Sequence, residues 1–191
     1  MTYCEFVYTE KAHPVHRAYH DTAYGFPIGD DDALFERLVL EINQAGLSWE
    51  TILKKQESFR AAYDGFSVER VAGYGDEDVA RLLGDPGIIR NRLKIAAAIH
   101  NANVILELRD EFGSLTGWLD AHHPREKPDW VKLFKKTFKF TGGEIVGEFL
   151  MSCGYLSGAH DETCPTLAEI RELRPRWLGQ EAGDAVSNGS A

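Results

Sequence analysis

Several protein classes need something this chain has too little of. Its longest apolar runs are only a few residues, far below the roughly 18 to 20 a membrane-spanning helix needs, and the opening MTYCEFVYTEK lacks the basic-then-apolar order of a secretory signal. No membrane association is expected, and the location expected is cytoplasmic. Cysteine is scarce and odd in number, at three, so metal binding or plain burial is a better expectation than a disulfide framework. Positive charge is also in deficit: 21 Lys and Arg stand against 30 Asp and Glu, for a net charge of -9. That excludes a protein that coats nucleic acid by bulk electrostatics, so any DNA binding must use a local basic face. Sustained period-two alternation, internal repeats and low-complexity blocks are missing as well, which argues against a sheet protein or a solenoid.

What is present has ordinary globular composition, with 43% hydrophobic and 27% charged residues in 191. Leu34, Phe35, Leu38, Val39, Ile42 and Ala45 recur at helical spacing behind a possible cap at Asp30 to Asp32. Gly46 breaks that pattern, and Ser48 is placed to cap a second helix carrying Trp49, Ile52, Leu53, Phe59 and Tyr63 up to the turn at Asp64-Gly65. A short helix capped by Asp76 leads to the turn Gly84-Asp85-Pro86-Gly87, after which a long helix is expected from Ile88 to about Phe112. Further helices are predicted near Leu115 to Ala121, Trp130 to Phe138, Glu144 to Cys153 and Leu167 to Leu173. His122 to Asp129 reads as a solvated connection, and Gln180 to Ala191 as a flexible tail. The fold class expected is all-α.

Two constellations carry chemistry. Cys4 and His20 near one end, with His160 and Cys164 near the other, form a Cys2His2 set of the kind that closes a tetrahedral zinc site. Fifteen residues separate the first pair and three the second, which matches no common finger spacing, so buried cysteines with unrelated histidines remain open on spacing alone. His13 and His16 compete with His20, whereas Cys153, on a helix face with Phe149 and Leu150, reads as core. Four protein ligands would leave no open coordination position, so such a zinc would be structural. The second constellation centres on Glu41, which falls inside the edge of the apolar arc and therefore needs a partner. Phe6, Tyr19 and Tyr24 precede its helix and Trp49 follows it; aromatic walls with one anionic acceptor suit a flat, cationic ligand, and an aromatic core cluster is the alternative.

The runs Ala18-Tyr19-His20-Asp21, Leu34-Phe35-Glu36, Leu40-Glu41, Gln44-Ala45-Gly46-Leu47-Ser48-Trp49, Thr51 to Lys55, Gly87 to Arg92, Phe138 to Gly142 and the closing His160 to Cys164 together resemble the 3-methyladenine DNA glycosylase I family. The likeness spans Cys4 to about Cys164 in ordered, separate motifs. It implies a helix-hairpin-helix DNA glycosylase fold, a single helical domain over residues 1 to 179 with two lobes, and a structural zinc joining the termini through Cys4, His20, His160 and Cys164. It also implies monofunctional hydrolysis of the N-glycosidic bond of 3-methyladenine in alkylated double-stranded DNA. Glu41 would accept hydrogen bonds from the flipped base, with Tyr19 and Trp49 as walls. This sequence departs from the family at Phe6 and Tyr24, where tryptophans are usual, at His16, where a tyrosine is usual, and at Asn43 within a usually glutamine-rich segment, which alters the shape of the stacking surfaces.

For docking on DNA, the backbone amides around Gly87 and the cations Arg90, Arg92 and Lys94 are candidates to hold phosphates. Lys132, Lys135, Lys136 and Lys139 form a second basic candidate face, with a solvated helix surface as the bland reading. No protein partner is implied, and a monomer is expected. A non-catalytic binder of alkylated DNA on the same scaffold is the alternative reading, and a small zinc-stabilised interaction protein with all its aromatics in the core is a third.

Overall fold

The computed structural model describes residues 1–179 and contains eleven α-helices, a further helical stretch at 176–179 and no strand among them; the expected tail at Gln180 to Ala191 lies outside the described residues. The helices are α1 (Tyr3–Phe6), α2 (Pro14–Thr22), α3 (Asp31–Gln44), α4 (Trp49–Ala62), α5 (Val68–Ala72), α6 (Asp76–Gly84), α7 (Arg92–Phe112), α8 (Leu115–His122), α9 (Lys127–Thr137), α10 (Gly143–Ser152) and α11 (Pro165–Glu172). They divide into two compact units: Met1–Ile28 together with the chain from Gly147 onward, and Gly29–Val146. Among the described residues no helix is long and apolar enough to cross a membrane.

The unit from Gly29 to Val146 is built around α3, which packs against α4, α5, α7 and α8. Its apolar positions recur every three to four residues, so Leu34, Leu38 and Ile42 stack on one face beside Phe35 and Val39, all of them buried. Each such side chain taken fully from water contributes about 1.5–3 kcal/mol. The start of α3 is fixed by Asp30, whose carboxylate accepts the Ala33 amide at 2.8 Å. Asp31, one residue further on, is buried and reaches across to α7 and α8. Trp118 from α8 and Trp130 and Phe134 from α9 close the far side of this core.

Helix boundaries follow local capping chemistry. Ser48 accepts the Thr51 amide at 3.2 Å and opens α4, while Gly46 turns the chain between α3 and α4 with φ +83°. The long seventh helix begins at Arg92 rather than at the expected Ile88, because the Asn91 side chain accepts the amides of both Leu93 and Lys94, at 3.0 and 3.2 Å. It ends at Gly113, whose φ of +81° lets its amide return to the Arg109 carbonyl. The expected connection up to Asp129 is shorter than the sequence suggests, since α9 already starts at Lys127 with Pro128 in its first turn.

The other unit joins α1, α2 and α11 with the end of α10. Cys4, Cys164, Leu167, Ile170 and Trp177 form its buried cluster, with Phe26 and Leu178 packed against them. Cys153 is buried as expected of a core residue. Gly25 has φ +83°, and a Cβ there would meet Ala159 Cβ at 3.0 Å and His160 Cδ2 at 3.2 Å, so the chain passes close behind the His160 ring.

Candidate metal centre and base-recognition residues

The four ligand candidates converge. Cys4, His20, His160 and Cys164 are all buried, and one donor atom from each lies within 4.8 Å of all the others. His20 Nε2 and His160 Nδ1 are 3.1 Å apart. Cys164 Sγ stands 3.6 and 3.4 Å from them, and Cys4 Sγ lies 3.7 Å from His160 Nδ1. Neighbouring donors around a tetrahedral ion with metal-to-donor bonds of about 2.0–2.3 Å stand roughly 3.3 to 3.8 Å apart. The donor set therefore has the dimensions of a metal site.

The outer contacts of the two histidines support the same conclusion. His20 Nδ1 lies 2.7 Å from the Asp21 carboxylate and His160 Nε2 lies 2.7 Å from the Tyr24 carbonyl. Both oxygens are acceptors, so these nitrogens carry the protons and the inward-facing His20 Nε2 and His160 Nδ1 carry lone pairs. Two lone pairs at 3.1 Å repel unless a cation lies between them. Burial pushes the Cys4 thiol up to about 11, so a thiolate at neutral pH needs a positive ion beside it. Burial also pushes His160 down and keeps it neutral, the form that ligates. The residues fit a closed four-ligand metal site. The rival histidines do other work: His13 accepts the Val15 amide as the cap of α2, and His16 Nδ1 lies 3.1 Å from the Tyr3 hydroxyl.

Around this cluster the aromatic candidates of the same unit form one connected group. Tyr19 and Tyr24 have ring centroids 5.5 Å apart at 33°. Phe6 packs edge-on to His16 and stacks on Tyr3, while Tyr3 also meets Tyr24 at 90° and His20 at 64°. The Tyr24 hydroxyl donates to Glu148 at 3.1 Å. Three participants were missed by sequence reasoning: Tyr3, Asp21 and Glu148. The signal for the first two was adjacency, each being next to a ligand, whereas Glu148 stands 124 residues from Tyr24 and left no trace in the sequence.

Glu41 and Trp49 belong to the other unit. Glu41 is only 4% exposed, three residues before the end of α3, and Trp49, half-buried, is the first residue of α4. Its carboxylate is thus inside the protein, close in sequence to the Gly46 turn.

The expected phosphate-binding group divides. Arg90 and Arg92 are exposed on the stretch leading into α7 and form no ion pair among the described residues. The Gly87 amide is already given to Asp85 Oδ1 at 2.7 Å, so a carboxylate of the chain itself sits where a phosphate was expected. Gly87 serves close approach instead: a Cβ there would meet Ser58 of α4 at 3.0 Å, and Lys55 of α4 donates to the Pro86 and Gly87 carbonyls at 3.0 and 3.3 Å. Lys94 is likewise not a surface cation. It is buried, and its ammonium donates to the carbonyls of Asn43 and Ala45 at 2.9 and 2.8 Å.

A sequence profile described as methyladenine glycosylase matches residues 9–132. The chain belongs to the methyladenine glycosylase family. It is 38% identical over 163 residues to DNA-3-methyladenine glycosylase 1 of Escherichia coli strain K12, covering 75% of this chain and 87% of that one. It is 32% identical over 166 residues to the DNA-3-methyladenine glycosylase of Haemophilus influenzae, covering 77% and 89%. Among solved structures, the 3-methyladenine DNA glycosylase I of Staphylococcus aureus, studied for its recognition of 3-methyladenine, superposes with a TM-score of 0.77 at 34% identity, over 87% of this chain and 96% of that one. The all-helical fold of this methyladenine glycosylase is therefore that of the solved family structures.

Proposed function

We propose that this chain excises 3-methyladenine from alkylated double-stranded DNA by hydrolysing the N-glycosidic bond, without a lyase step. The reading is carried by Glu41, a carboxylate held inside α3 in a chain whose relatives are named for release of 3-methyladenine. An acceptor in a low-dielectric setting attracts a flat cation strongly, and methylation at N3 makes adenine just that.

A base in a duplex must first leave the stack, at a cost of a few kcal/mol that is least for a damaged base. Glu41 then accepts hydrogen bonds from the everted base, Tyr19 and Trp49 wall it, and Phe6 and Tyr24 shape the surrounding aromatic surface. Water adds at C1′ of the sugar as the bond to the base breaks. The electron pair of that bond neutralises the charge already on the base, so the leaving group needs no protonation; the attacking water gives up its proton to solvent, and an abasic site remains. Arg90 and Arg92 hold phosphates by charge. Cys4, His20, His160 and Cys164 would hold zinc, which with four protein ligands supplies a structural clamp. The proposal includes a monomer acting in the cytoplasm.

The test is incubation of the native protein with methylated duplex DNA and chromatographic identification of the bases set free. Release of 3-methyladenine is expected. Retained affinity for the damaged duplex with no base released would overturn it in favour of a non-catalytic binder.

A further inference from the structure

The turn between α3 and α4 carries Glu41 on one side and Trp49 on the other, and it holds itself together only in part. Leu47 returns its amide to the Gln44 carbonyl at 2.7 Å, and the Gln44 side chain donates to the Leu47 carbonyl at 3.0 Å. The last carbonyls of a helix have no partner within the helix. At the end of α3 two carbonyls, those of Asn43 and Ala45, are taken by one ammonium from another helix, Lys94 Nζ.

Lys94 is an expensive choice for a simple cap. The residue is 5% exposed, burial lowers its pKa, and its ammonium lies 5.8 Å from the centre of the Phe140 ring. The stem begins at a fixed point, because the Lys94 amide is held by Asn91, the cap of α7, directly beside Arg92. One side chain therefore runs from the start of α7 to the turn beside Glu41 and Trp49.

The geometry points to Lys94 as a positioning residue that fixes the turn between Glu41 and Trp49 relative to the Arg90–Arg92 segment. This rests on the functional reading above. It assigns Lys94 no contact with DNA or with the base; it acts by keeping the acceptor and the aromatic wall in register with the segment that grips phosphates.

The test compares native protein with Lys94→Met and Lys94→Arg. Hydrogen exchange reads the turn without any catalysis: protection of the peptide from Ala45 to Trp49 falls in Lys94→Met and is largely restored in Lys94→Arg. Single-turnover release of 3-methyladenine falls about tenfold or more in Lys94→Met, with affinity for an abasic-site duplex within about threefold of native. Native protection of the turn in Lys94→Met overturns the inference. So does a loss of duplex affinity that accounts for the whole loss of rate, which would make Lys94 a DNA contact. Should Lys94→Met not fold, Lys94→Gln, one bond shorter and uncharged and so unable to hold both carbonyls, takes its place; unchanged exchange and unchanged rate in that variant likewise overturn it. Native protein that releases no 3-methyladenine sinks the functional reading, while the exchange result still decides whether Lys94 pins the turn.

Discussion

Arg109 Nε donates to Asp31 Oδ2 at 2.7 Å, and the other oxygen of that carboxylate accepts the Leu115 amide at 2.9 Å. The same guanidinium pairs with Glu69 of α5, so one connected set of polar groups ties α3, α5, α7 and α8. Asp31→Ala leaves a partly buried guanidinium and a buried amide without that partner. Discounted for the solvent that reaches Arg109, the expected cost is about 2 kcal/mol, read by chemical denaturation. Glu69→Ala, at an exposed position, should cost well under half of that.

Metal content is expected at one zinc per chain, measured by elemental analysis of the purified protein. Cys164→Ala should reduce it to about a tenth of that and lower the melting temperature by about 10 °C, because the clamp closes a very long loop. Cys153→Ala, in the core and outside the cluster, should leave zinc content unchanged.

Glu41→Gln keeps the size of the side chain and removes its charge. Single-turnover release of 3-methyladenine is expected to fall about a hundredfold, with the helical circular dichroism spectrum preserved. An undiminished rate would take Glu41 out of base recognition.

Charge reversal at Arg90 and Arg92 together should weaken duplex binding at low salt. It should also flatten the dependence of log K on log salt by about 0.9 for each phosphate no longer neutralised. Reversal at Lys132, already paired with Asp129 at 2.9 Å, should change that slope little.

How much the sequence revealed depended on the kind of signal. The helix from Asp31 to Gln44 was legible because an unbroken apolar stripe follows an aspartate cap. The helix from Pro14 to Thr22 was not foreseen, since PVHRAYHDT spends its buried face on His16, Tyr19 and His20, which register weakly as apolar. Ile88 and Ile89 extended the apparent pattern of the seventh helix past its true start, and the cap at Asn91 decided the matter locally. Lys94 shows a deeper limit: a cation is visible in sequence, but whether its stem turns to water or to the carbonyls of another helix depends on a partner 49 residues away. Gly87 is a similar case, where its amide was foreseen as useful and the neighbouring Asp85 claimed it.

The four donors of the Cys2His2 cluster come from opposite stretches of the chain, two before residue 21 and two after residue 159. During translation Cys4 and His20 leave the ribosome on the order of ten seconds before His160 and Cys164. A polypeptide released prematurely, or clipped between these stretches and separated, holds half a coordination set and cannot be fastened. An ion held by all four donors, as proposed, would thus discriminate finished molecules from fragments.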